Sequence, residues 1–198
     1  MSKVTSDMAT SVDGFVAGPN QSLDNPFGEG VEGRLHQWMF DEPDANAPEI
    51  EAMTAAGAFI MGRNMFDPGR GAWDKEWMGW WGEEPPYHAP VFVLTHHERE
   101  PLNMKGGTTF TFVTDGIESA LAQASAAAGD ANVAIAGGAA TVNQYLAAGL
   151  LGELRLHVAP VLLGDGERLF EGVWKVSLEP LEVRHTGLVT HLSYRVVH

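Results

Sequence analysis

The residues whose types and spacing best suit chemistry lie in Val133 to Leu146, VAIAGGAATVNQYL, where Gly137 and Gly138 separate an apolar strand pattern from a helical one. Val133, Ala134, Ile135 and Ala136 read as a strand inside a sheet, and Ala139 to Ala148 has helical spacing through Val142, Tyr145 and Leu146. With no side chains at the junction, the first backbone N–H groups of the helix can approach an anionic ligand closely, and the helix dipole favours its charge. The pattern completes neither G-x-G-x-x-G nor the Gly-Lys-Ser/Thr of a P-loop, so a plain strand-to-helix turn is the competing reading.

Two further strand patterns end in polar groups. Ala58 to Met61 runs into Gly62, Arg63 and Asn64, and Pro90 to Leu94 runs into Thr95, His96 and His97. In an open α/β sheet, ligands bind outside the carboxyl ends of the strands. An arginine, hydroxyl and imidazole donors and a bare helix N-terminus together describe a cradle for a multiply phosphorylated nucleotide. Arg63 suits a ribose 2′-phosphate, because a guanidinium makes forked, charge-assisted hydrogen bonds to phosphate. The alternative for Arg63 is a helix-start arginine paired with solvent or a surface acid. The eight histidines include no H-E-x-x-H pair, so no metal site is expected, and His96 and His97 read as phosphate donors.

The elements that must position these groups alternate along the chain. Strand patterns recur at Val4 to Ala9, Ala58 to Met61, Pro90 to Thr95, Thr108 to Val113, Val133 to Ala136, Glu153 to Val161, Leu181 to Thr186 and Thr190 to Val197. The clearest helix is Ile117 to Ala128, with Asp115 as candidate N-cap, Glu118 completing a capping box and Gly129 as the stop. Strands alternating with helices predict an α/β, mainly parallel sheet covered on both faces, and the last two strands an antiparallel hairpin turning at Thr186 and Gly187. Pro19 to Gly30 is loop composition. Asp67 to Pro90 holds Trp73, Trp77, Trp80 and Trp81, which suit a lid, a substrate-stacking wall, a dimer contact or a satellite core beneath a long loop.

A chain of 198 residues with 44% hydrophobic content buries one sizeable core, so one domain over 1–198 is expected. Zero cysteines exclude disulfides, thiolate zinc sites and a cysteine nucleophile. Net charge of −14 argues against nucleic acid or an anionic membrane surface as partner, and makes each local cation informative. Met1 to Asp7 has no signal-peptide pattern and no apolar run approaches the ~20 residues of a membrane helix, so a soluble, cytoplasmic protein is expected.

Taken in order, Ser11 to Ala17 (SVDGFVA), Phe59 to Arg63 (FIMGR), Val91 to Thr95 (VFVLT), the double-glycine stretch and His157 to Phe170 (HVAPVLLGDGERLF) span nearly the whole chain. In this order and spacing the chain resembles the dihydrofolate reductase superfamily, and more closely the group containing the reductase domain of riboflavin biosynthesis. The resemblance implies a three-layer αβα fold with a central eight-stranded sheet and an NADPH-dependent reductase of a small heteroaromatic or carbonyl substrate, pyrimidine- or pterin-like. It implies a cis Gly137–Gly138 peptide. It places the pyrophosphate on Gly137, Gly138, Ala139, Ala140 and Thr141, and the adenosine 2′-phosphate region on Gly62, Arg63, Asn64, Thr95 and His96. Ala9, Val16 and Ala17 would border the nicotinamide.

Nothing matches the Ser-x-Trp-Ile-Ser/Thr substrate motif of the riboflavin reductases, and the helix expected at about Val31 to Phe40 offers Glu32, His36, Gln37 and Trp38 but no counterpart of the dihydrofolate reductase carboxylate. Asp13, following the first strand beside the proposed nicotinamide site, is the candidate for polarising or protonating the substrate, with a structural turn as its alternative. Trp38 is a candidate for lining the substrate pocket, with core packing as its alternative. A non-catalytic NADPH-binding or sensing protein, and a dimerising interaction module, are the other classes; a homodimer is compatible with all three.

Overall fold

The computed structural model describes residues 2–67, 69, 71–74 and 76–197. The chain runs β1 (Val4–Ser11), β2 (Phe15–Ala17), α1 (Gln37–Asp41), α2 (Ala47–Thr54), β3 (Ala58–Gly62), α3 (Arg63–Phe66), β4 (Pro90–Leu94), β5 (Leu102–Asn103) and β6 (Thr109–Val113). It continues with α4 (Ile117–Ala128), β7 (Val133–Gly137), α5 (Ala139–Ala147), β8 (Glu153–Ala159), β9 (Glu167–Arg168), β10 (Ser177–His185) and β11 (Thr190–Val197). Nine strands form one sheet in the order β10-β11-β8-β1-β7-β3-β4-β6-β5, while β2 and β9 pair separately. The ninth strand beyond the expected eight is β5, a two-residue edge.

Pairing is parallel from β8 through β1, β7, β3 and β4 to β6, and antiparallel where β11 joins β8 and where β10 joins β11. Strand alternation then sorts side chains into two cores. From β3, Ala58 and Ile60 join Ile135, Val142, Leu146 and Ala124 under α4 and α5, whereas Phe59 and Met61 join Phe66, Val91, Val93 and Phe110 on the opposite face. Tyr145 locks the two helices of the first face together, its hydroxyl donating to Ile117 O at 2.8 Å.

Two local expectations fail for backbone reasons. The capping box does not form: Gly116 is the N-cap of α4 at φ 91°, no side chain caps the helix, and its carbonyl accepts from Ala120 N at 3.1 Å. The helix expected from Val31 is a series of turns until Gln37, because Glu32 and Gly33 both sit at positive φ, 47° and 79°. Among the described residues no helix is long and apolar enough to cross a membrane.

Candidate active site

The order β7-β3-β4 sets three parallel carboxyl ends side by side, so Gly137 and Gly138, Gly62 to Asn64, and Thr95 with His96 and His97 arrive at one edge of the sheet. All of these except Gly137 line a cavity of about 430 Å³, joined by Ala140, Thr141 and Gln144 of α5. The Gly137–Gly138 peptide is cis. Gly137 lies at φ 130°, where only glycine is at ease, and a Cβ there would press on Met65 Sδ at 3.3 Å. No side chain caps α5, which leaves its N-terminus open to an acceptor. Gly62 is required by contact: a Cβ on it would collide with Thr141 Oγ1.

Arg63 reaches this cavity with much of its capacity committed. Its guanidinium pairs with Asp67 (Nη2 to Oδ2, 3.4 Å), donates to Gly71 O and stacks on the Trp73 ring at 3.6 Å, while its buried Nε has no partner. Thr95 Oγ1 accepts from His97 N at 3.1 Å, which shapes the loop carrying both histidines. Ala139 stands apart from the other expected ligands, its methyl buried in the core beneath α5.

A second cavity, of about 480 Å³, opens beside the first, and the two share Asn64, Gly138 and Glu167. Ala9, Val16 and Ala17 line it as a group, with Met8, His36, Trp80, Trp81 and Asp7. The tryptophan-rich segment thus does two things. Trp73, Trp77 and Trp81 pack on the core around Phe66, Phe110 and Tyr87, and Trp80 with Trp81 presents ring surface to the second cavity.

Neither residue proposed for substrate chemistry stands there. Asp13 lines neither cavity; its carboxylate accepts from Gly164 N at 2.8 Å and Leu163 N at 3.2 Å, clasping the loop after β8. The Ser11 hydroxyl, aided by those two amides and opposed by burial, lowers its pKa to about 2, so Asp13 is an acceptor and not a proton donor. Trp38 is fully buried, donates to Leu35 O at 3.1 Å, and packs on His157 and His191 with ring centroids 5.0 and 5.1 Å away. An apolar ring of this size on a short helix facing the sheet is core, not pocket lining.

The residues that sequence reasoning missed sit on the sheet face beneath Trp38. Asp7, on the same face of β1 as Ala9, meets Arg155 Nη1 at 3.3 Å and His157 Nε2 at 3.4 Å. His157 Nδ1 lies 2.8 Å from His191 Nδ1, and His191 Nε2 lies 2.9 Å from Asn46 Oδ1 and 3.9 Å from Glu49 Oε2. Burial, helped by the nearby His157, pushes the His36 imidazole down to about 4. Burial likewise lowers His191, against the pull of Glu49. Glu49 itself is held below the usual carboxylate range: burial would raise it, and the Arg184 guanidinium prevails. The available signal was a lone carboxylate, Asp7, in the middle of an otherwise uncharged central strand.

The profile of the RibD C-terminal domain family matches residues 2–192. The uncharacterized protein YyaP of Bacillus subtilis (strain 168) is 22% identical over 193 residues, 92% of this chain and 88% of that protein. Among solved structures, a putative riboflavin biosynthesis protein from Shewanella sp. PV-4 superposes with a TM-score of 0.69 at 22% identity, covering 99% of each chain. Dihydrofolate reductase from Enterococcus faecalis, solved with NADP(H), superposes with a TM-score of 0.56 at 16% identity over 98% of this chain and 94% of that one.

Proposed function

The chain belongs to the RibD C-terminal domain family, and on that premise we propose that it is an NADPH-dependent reductase of a small heteroaromatic or carbonyl compound, pyrimidine- or pterin-like. The observation that carries this reading is the pair of cavities meeting at Asn64, Gly138 and Glu167, one built on strand ends that bring Arg63, Thr95, His96 and His97 to it, the other walled by Ala9, Val16, Ala17, Trp80 and Trp81. A dinucleotide is long and chemically two-ended, and this arrangement suits each end.

The residues present fit the cofactor. The open N-terminus of α5, with Gly138, Ala140 and Thr141, would take the pyrophosphate. Arg63, Asn64, Thr95 and His96 would surround the adenosine 2′-phosphate, Arg63 through the guanidinium N–H groups that Asp67 and Gly71 leave unused. Ala9, Val16 and Ala17 would border the nicotinamide, with Gly137 close by. When bound, a dihydronicotinamide supplies a hydride. The chain's own contribution is alignment: Trp80, Trp81 and Phe27 give flat apolar surface against which a planar substrate can lie and from which water is displaced. The enzyme is further proposed to be a homodimer, because β10 is an exposed sheet edge carrying Leu181 and Val183, 45% and 67% exposed.

Parallel calorimetric titrations with NADPH and NADH test the reading. Tight NADPH binding with much weaker NADH binding is expected; heat from neither nucleotide would refute it.

A further inference from the structure

Asn46 fixes the direction of the buried polar chain that begins at the second cavity. Its Nδ2 donates to the carbonyls of Trp38 at 3.1 Å and Glu42 at 2.7 Å, so its Oδ1 is the acceptor facing Thr186 Oγ1 at 3.0 Å and His191 Nε2 at 2.9 Å. His191 Nε2 therefore carries a hydrogen. A neutral His191 then has a bare Nδ1, and the 2.8 Å contact between the two Nδ1 atoms makes His157 the donor. His157 Nε2 is left buried without a hydrogen-bond partner, 3.4 Å from Asp7 Oδ1.

A ring lone pair against a carboxylate oxygen in a dry interior is repulsive, and a hydrogen on Nε2 turns it into a charge-assisted contact. A doubly protonated His191 leads to the same place: His157 Nδ1 would accept, and its one hydrogen would sit on Nε2. Either way the two imidazoles hold three ring hydrogens and one positive charge. The surrounding charges accommodate it. Arg155 is shared between Asp7 and Glu153, with exposed Lys3 reaching only Glu153, so Asp7 lacks a full counter-charge from β8. Beyond His191 the carboxylate of Glu49 is matched by Arg184, while neutral His36 faces the cavity from the turn before α1 and Glu167 faces it from β9.

We infer that Asp7 and His157 together store a proton at the wall of the second cavity, and that Asp7 delivers it to a heteroatom of the substrate bound there. The storage stands on the geometry alone; the delivery rests on the reductase reading. Asp7 lines the cavity and His157 does not, so the carboxylate is the group that hands the proton on. In reduction of a C=N or C=O bond, the carbon takes a hydride from the dihydronicotinamide and the π electron pair moves to the heteroatom. The heteroatom takes the stored proton, and the pair regains one from water.

The test is ¹⁵N NMR of the full chain labelled at histidine, for the wild type and Asp7→Asn, with NADPH titrations on the same samples. At pH 7 the wild type should show a protonated His157 Nε2 and three ring hydrogens across His157 and His191, and D7N should lose one of the three. A bare His157 Nε2 in the wild type overturns the inference, and needs no variant to be seen. Failure of NADPH to bind overturns the cofactor reading instead, with the ring hydrogens unaffected. With any pyrimidine, pterin or carbonyl compound that oxidises NADPH, D7N should lower kcat by about 10²-fold or more, the usual worth of a positioned acid, and flatten the pH profile. Turnover by D7N at the wild-type rate overturns the delivery step.

Discussion

Arg63 enters the first cavity already paired with Asp67 and stacked on Trp73, which holds a long side chain in one geometry before any ligand arrives. A pre-placed guanidinium that meets a 2′-phosphate gains hydrogen bonds to a charged group worth about 1.5–3 kcal/mol, so Arg63→Ala should weaken NADPH binding about 10- to 100-fold. NADH, lacking that phosphate, should lose far less, and equal losses by calorimetry would remove Arg63 from the 2′-phosphate site. Asp13 makes a different prediction. Its carboxyl is depressed to about 2, so its contribution to stability is complete above the unfolded value near 4 and is lost as pH falls through 2. Asp13→Asn should therefore be less stable than wild type in urea at pH 7, and the difference should narrow between pH 4 and pH 2. A gap independent of pH would show that the clasp does not depend on ionisation. Both residues were visible in the sequence as types, but their partners lie where the chain returns: Gly164 is 151 positions from Asp13. Asp-Gly reads as a turn pair, and only the fold shows which amides fill the carboxylate.

At the scale of elements, the strands were legible because the alternation and apolar runs that define them are local. β3, β4, β7 and β11 lie within about a residue of their expected limits. The region before α1 was not legible, since the helical spacing of Val31 and Leu35 also describes side chains that turns can bring to one core. The second cavity was only half readable for a related reason. Ala9 and Val16 came with the resemblance, whereas Asp7, legible only as a lone carboxylate in its strand, gains partners when β8 and β11 place Arg155, His157 and His191 beside it. The junction of β3 with α5 permits a sharp test. In Gly62→Ala the new methyl would strike Thr141 Oγ1, prising the helix start from the strand end, so NADPH affinity and melting temperature should both fall. Removing the obstructing hydroxyl in Gly62→Ala/Thr141→Ala should recover most of the stability. No recovery in the double variant would place the strain elsewhere.

For the molecule as a whole, β10 is the feature that a lone chain explains least. It is a nine-residue edge, bent by a register shift between Pro180 and Glu182, with unpaired backbone groups and apolar side chains turned to water. An edge of this kind is self-complementary about a two-fold axis, the symmetry by which most homodimers close. Light scattering after size exclusion should give the mass of two chains, and Val183→Lys should shift the protein towards one. A monomeric wild type at micromolar concentration would dismiss the assembly.

The wall shared by the two cavities has a thermodynamic consequence. Asn64, Gly138 and Glu167 border both, so a ligand that settles against them on one side alters what the ligand on the other side meets. Coupling of this kind is reciprocal: whatever factor the first occupant applies to the affinity of the second, the second applies to the first. The strength of that coupling, the same in both directions, then rests on three residues that need take no part in bond making.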